Sequence, residues 1–201
     1  MDNPTENVAT EQENSEPAVP VGRLIDVPLC YQETEYTCGI ASLQSVLARY
    51  GMVYRQSALA DILNSRPILG TDYKSILYLS ELMGLHTTFK ENQRIENLKR
   101  YIDFGTTPIL IIQAWRLEDD IDYALDYKNA HYIVACGYDE NGIYAMDPNL
   151  LGNYGYLTYP ELLTRWHAVD KDNVRHMKSA LIISNKKYPI TYDPDEVKRI
   201  R

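Results

Sequence analysis

Basic residues, cysteines and long apolar stretches are all scarce in this chain, and each scarcity removes a class of function. Lys and Arg number 20 against 28 Asp and Glu, for a formal charge of -8. Nucleic-acid affinity rests on cations that neutralise phosphates, so nucleic acid is a poor partner. The three cysteines, Cys30, Cys38 and Cys136, are an odd number and too few for a disulfide framework. They suit a reducing compartment, leave at least one thiol free, and make the cytoplasm the expected location. They form no C-x-x-C pair, and their spacing with His131 fits no zinc site. No run approaches the ~18 apolar residues of a membrane span. Residues 1–22 hold five acids, no Lys or Arg and no apolar stretch, so they do not read as a secretory signal. The G-x-x-x-x-G-K-[ST] pattern of an ATP-binding loop is also missing.

What is present is enough apolar residue, 45% over 201 positions, for one domain with a proper core. Residues 1–22, rich in Glu, Asn, Pro and Thr, cannot offset the entropy of ordering and read as a disordered acidic tail. Residues 186–201 read as an irregular second tail. The folded body is expected over residues 23–185.

The first half of that body is helical. Ile40, Leu43, Val46, Leu47 and Tyr50 share one face of a helix over Cys38–Tyr50, with Gly51 as its carboxy-terminal cap. Further helices are expected at Ser57–Leu63, at Asp72–Met83 with Asp72 as cap, and at Ile95–Phe104. One more follows Thr158, with Pro160 in its first turn, and runs to about His167. After Pro108 the pattern changes to β-type runs at Ile109–Trp115, His131–Tyr138, Gly142–Met146 and Ser179–Ser184, with Leu85–Phe89 as an earlier member. Asn141-Gly142 should turn the second into the third as a hairpin. Helices first and an antiparallel sheet later is the α+β arrangement.

Four residues then stand out. Cys38 opens the strongest helix, where the positive end of the backbone dipole eases ionisation of a thiol. Gln32, six residues earlier, is within a loop's reach of that thiol and carries an amide that can donate to an oxyanion. His131 begins one strand of the hairpin and Asp147 ends the other, so an imidazole and a carboxylate to orient it lie near one end of the sheet. Each alone has a plain reading: a buried small Cys, a solvated loop Gln, a strand-start His, an Asp-Pro turn. Together they are the parts of cysteine-dependent acyl transfer. His86, His167 and His176 are weaker bases, since none has a carboxylate at the far end of a hairpin.

These residues also carry a resemblance. Gln32-x5-Cys38-Gly39, then His131-Tyr132-Ile133-Val134-x-x-Gly137-Tyr138-Asp139, then Asp147-Pro148, closely resembles family thirty-nine of the cysteine peptidases. Its best-known members remove double-glycine leaders from bacteriocin precursors. Ile112-Gln113-Ala114-Trp115, Leu151-Gly152-Asn153-Tyr154-Gly155-Tyr156 and Arg165-Trp166-His167 are similar to segments of its stand-alone branch. The resemblance implies a papain-like fold, a peptide or protein substrate, cleavage after small residues such as paired glycines, and no metal or organic cofactor. One departure is Thr37, where many members carry Asp.

Weaker candidates for contact with substrate are Thr37, Gly39, Gln113 and Trp115. The acidic stretch Glu118, Asp119, Asp120, Asp122 and Asp126 reads as a solvated loop whose spacing fits no calcium site. The same Cys-His-Asp site would also serve an amidase, a deamidase or an acyltransferase. In a different class stands a silent peptide-binding module.

Overall fold

In the computed structural model, residues 22–67, 70–116, 122–185 and 200 are described. The expected tails, apart from Gly22 and Ile200, lie outside the described residues, as do Glu118, Asp119 and Asp120. The chain runs β1 (Arg23–Leu24), α1 (Cys38–Arg49), α2 (Gln56–Leu63), α3 (Tyr73–Leu82), β2 (His86–Lys90), α4 (Ile95–Asp103) and β3 (Ile109–Gln113). It continues through β4 (Ala130–Tyr138), β5 (Gly142–Met146), β6 (Gly155–Thr158), α5 (Tyr159–Arg165), β7 (His167–Val169), β8 (Arg175–Met177) and β9 (Ala180–Ser184).

Seven strands form one antiparallel sheet in the order β2-β9-β3-β4-β5-β6, with β1 paired to the far end of β4; β7 and β8 make a separate hairpin. Helices pack on both faces of the central strands. On one face Ile109, Ile111, Tyr132, Val134, Cys136 and Met146 meet Ile40, Leu43, Val46 and Leu47 of α1. On the other, Leu110, Ile112, Ile133, Ala135, Ile143 and Ala145 meet Leu98 and Ile102 of α4, Leu162 of α5 and Trp166 just past it. This double cover is why Ile109–Ile112 and Tyr132–Cys136 are continuous apolar runs rather than alternating ones.

The helix ends follow local chemistry. Asp72 accepts the Lys74 amide at the start of α3, and Thr158 with Glu161 closes a reciprocal capping box on α5. The Asn141-Gly142 hairpin forms, but for a different reason from a turn that requires positive φ. The carboxylate of Asp139 accepts from the amides of Asn141 and Gly142, and a Cβ on Gly142 would stand 2.3 Å from the Leu157 carbonyl oxygen in β6. Gly142 is therefore there to let β6 approach. Four strands have no counterpart in the sequence reading: β1, β6, β7 and β8. The expected last turn of α5 is replaced by β7, which starts at His167.

Candidate active site

Cys38 is the first residue of α1 and is 8% exposed. His131 stands near the start of β4 opposite Ile112 of β3, and Asp147 is the first residue past β5. The hairpin register brings the last two together: Asp147 Oδ1 lies 2.7 Å from His131 Nε2. A carboxylate only accepts, so Nε2 carries the proton and Nδ1 is the nitrogen left for the thiol. The Cys38 thiol faces His131 and the backbone amides of Tyr132 and Gly39.

Burial alone would push the Cys38 thiol up, but the imidazole and the two amides outweigh it, and the net direction is down. For His131, burial disfavours the charged ring, yet its bonds to Asp147 and Cys38 push it up to about 9. Both shifts run toward the charged forms, so a thiolate and an imidazolium would favour each other here. The other thiols behave oppositely: burial raises Cys30 to about 11 and Cys136 to about 12.

Asp147 is held by two further donors. The Asn149 amide donates to Oδ1 at 2.8 Å, and the Trp115 indole Nε1 donates to Oδ2 at 3.0 Å. Trp115 makes that bond from a left-handed backbone, φ 59°, which is costly for a bulky side chain. It is 46% exposed, so one of its faces is open to solvent while its edge orients the carboxylate. Of the residues considered for contact with substrate, it is the one at the surface beside the reacting groups.

The other three have structural duties. Gln113 is fully buried; its amide donates to the His167 carbonyl and accepts the Asn129 amide, fixing the entry to β4. Gly39 is small for packing, since a Cβ there would stand 2.8 Å from the Thr71 Cβ and 3.2 Å from the Tyr132 ring. Thr37 is buried, and its hydroxyl accepts the Thr34 amide and closes the turn that leads into α1.

Gln32 lies in the loop before α1. Its backbone amide donates to the Pro148 carbonyl, tying this loop to the one that carries Asp147. Its side-chain Nε2 donates one hydrogen to the Thr34 carbonyl, which leaves a second. Gln56, which the sequence reading passed over, braces the loop from behind: its amide donates to the Tyr31 carbonyl and accepts the Glu33 amide, one on each side of Gln32. A helix-start Gln that is buried only in the fold carries no sequence signal for this role.

The weaker bases are engaged elsewhere. His167 bonds to the Asp126 carbonyl and packs on Tyr127, whereas His176 sits between Glu91 and Asp170. His86 lies on the edge strand β2. Asp126 is buried beneath the Lys128 amide and Asn129 Nδ2, so it is not the solvated loop residue expected, whereas Asp122 is exposed and caps the 3-10 turn Tyr123–Leu125.

Comparison with known proteins follows the same line. Residues 24–174 match the family described as "Peptidase_C39 like family". The peptidase domain of Streptococcus ComA, a bi-functional ABC transporter of a quorum-sensing pathway, is 19% identical, with TM-score 0.60 over 79% of this chain and 98% of that one. A double-glycine-motif protease from an AMS/PCAT transporter, in complex with the leader peptide, is 20% identical, with TM-score 0.56 over 82% and 96%. A Bacillus anthracis protein described as a C39-like peptidase is 16% identical, with TM-score 0.57 over 82% and 96%. These structural likenesses are of fold, and the fold is papain-like. No curated protein matches the sequence. Among the described residues, no helix is long and apolar enough to cross a membrane.

Proposed function

The chain belongs to the Peptidase_C39 like family of cysteine peptidases, and on that footing we propose that it cuts peptide bonds through a thioester on Cys38, with His131 as proton carrier and Asp147 as its orienter. The observation that carries this reading is the continuous chain from the Cys38 thiol through His131 to Asp147, with the thiol alone of the three shifted down. The thiolate attacks the carbonyl carbon; the oxygen turns negative and is met by the Cys38 amide at the start of α1 and the spare Nε2 hydrogen of Gln32. The His131 imidazolium then gives its proton to the departing amine. Water, deprotonated by the same imidazole, releases the acid.

The double-glycine specificity named for the AMS/PCAT protease supports paired glycines before the cut bond here. The buried thiol also favours a substrate with little bulk beside the carbonyl. Three free cysteines support a reducing compartment, the cytoplasm. The test is a peptide library that includes Gly-Gly sequences, read by mass spectrometry with the wild type and with Cys38→Ala. Cleavage is expected after Gly-Gly in the wild type and nowhere in the variant. Cleavage that survives Cys38→Ala removes the nucleophile assignment.

A further inference from the structure

Beside the reacting groups lies a cavity of about 290 Å³ that the chemistry above leaves unassigned. Its walls are Ile112, Ile133, Ala145, Leu150 and Leu157, from both sides of the β4–β5 hairpin, and its near edge is Asp147 with Trp115. Arg116 and Arg165 also line it, the Arg165 guanidinium standing 3.8 Å above the Tyr123 ring. Among the described wall residues the one acid is Asp147, already engaged by His131, Asn149 and Trp115. The interior is thus aliphatic, and its charged rim is Asp147 with two arginines, Arg165 and an Arg116 that stands 3.8 Å from Asp126.

The position of this cavity relative to the thiol assigns its occupant. When Cys38 Sγ bonds to the carbonyl carbon and the carbon–nitrogen bond breaks, the departing nitrogen takes the proton of His131, so the released segment must run over the imidazole. Asp147 is on the imidazole edge opposite the thiol, and the cavity begins at Asp147 and Trp115. From thiol to carboxylate is roughly 8 Å, one hydrogen bond plus the ring plus a second hydrogen bond, and an extended chain covers about 3.4 Å per residue. Two or three residues past the cut bond therefore bring a side chain to the cavity. We propose that the cavity is the specificity pocket for the amine side of the cut bond, and that it takes an aliphatic side chain at the second or third residue of the released segment. This inference rests on the peptidase reading given above. The lining arginines make Lys or Arg at that place unfavourable.

The test uses the full chain and two substrate sets with the same Gly-Gly acyl side. One set carries 7-amino-4-methylcoumarin as the leaving group and cannot reach the cavity. The other is internally quenched peptides in which the first three released residues are varied among Gly, Leu, Glu and Lys. Leu at the second or third place is expected to raise kcat/KM about tenfold over Gly, with Lys lowest. Leu150→Trp, which fills the cavity, should flatten that preference while coumarin release stays within about twofold. Arg165→Glu should reverse the order of Glu and Lys and serves if the Trp variant misfolds. A flat profile with intact coumarin release overturns the pocket and leaves the peptidase reading standing. So does a Leu preference that survives Leu150→Trp in folded protein. Failure both to release coumarin and to cut any peptide overturns both.

Discussion

Replacing Asp147 by Asn tests the site more sharply than deleting it, because every neighbour of this carboxylate is a donor. Oδ1 accepts from His131 Nε2 and the Asn149 amide, and Oδ2 accepts from the Trp115 indole. An amide has one acceptor oxygen. With that oxygen toward His131, the new NH2 meets the Trp115 N–H, two donors about 3 Å apart. Turned over, the NH2 meets the Asn149 N–H and forces His131 to accept at Nε2, which puts the ring proton on Nδ1, facing the thiol. The charge is lost in either case. His131 is lifted from an ordinary 6.5 to about 9, by Asp147 and Cys38 against burial. At about 1.4 kcal/mol per unit this is on the order of 3 kcal/mol of preference for the imidazolium, of which Asp147 supplies part. In a serine triad the same replacement costs about 10⁴ through the wrong tautomer. A thiol needs less help from its base, so a loss on the order of 10²–10³ in kcat/KM is expected here. The assay is kcat/KM on a quenched Gly-Gly peptide. A second variant isolates the cause: Trp115→Phe added to Asp147→Asn removes the donor–donor clash and should recover about tenfold. Asp147→Asn within fivefold of wild type, or a double variant no better than the single, would refute the assigned hydrogen-bond pattern.

The thiolate–imidazolium pair fixes the pH profile: kcat/KM should rise as pH climbs through the lowered Cys38 value and fall as His131 loses its proton near 9, and a flat profile to pH 10.5 would contradict the pair. At pH 7 iodoacetamide should label Cys38 at least about tenfold faster than Cys30 or Cys136, which burial holds near 11 and 12; equal rates by peptide mapping would remove the activated thiol. Asp139→Ala should lower stability by about 3 kcal/mol in thermal melts, because two amides and the hydroxyls of Tyr144 and Tyr156 lose one buried acceptor. Burial would raise the Asp139 carboxyl, but those donors hold it below its ordinary 3.8, so its contribution is present above that value and fades as pH falls through the lower folded one. The gap between wild type and variant should therefore close in acid, and a loss under about 1 kcal/mol would show that the cluster is dispensable.

Where local chemistry decides, the sequence was enough. The apolar stripe from Ile40 to Tyr50 and the caps at Asp72 and Thr158 mark helices that lie within a residue or two of those expected. The β4–β5 hairpin lies where the Asp139–Gly142 turn puts it. The edge strand β6 could not be read, because Gly155–Thr158 is half-buried on both sides and carries no alternation. Nor could β7 and β8, three residues each, fixed by His176 between Glu91 and Asp170 rather than by any pattern of their own. The chain has 17 Tyr and two Phe, and part of the cause is visible: Tyr144, Tyr156 and Tyr159 all bond to Asp139, so the ring fills the packing while the hydroxyl satisfies a buried acid and carbonyl.

The site divides along the same line. Cys38 and His131 were legible because each stands at or beside the start of an element, and the start of an element is a local property. Trp115 was not, because its role depends on breaking the strand's alternation. Had β3 run on, residue 115 would share a face with Ile111 and Gln113, the side covered by α1, whereas Asp147 follows the parity of Ile143 and Ala145 on the other side. The left-handed turn at Trp115 crosses that divide and delivers the indole to a carboxylate two strands away in the sheet. A conformation this costly in a half-exposed aromatic persists only if other contacts over-determine it. The bond to Asp147 and the wall it builds for the neighbouring cavity are such contacts. Relieving the strain by Trp115→Gly should therefore leave the melting temperature within a few degrees of wild type while kcat/KM falls about tenfold, and unchanged activity would mean that the turn serves only the fold.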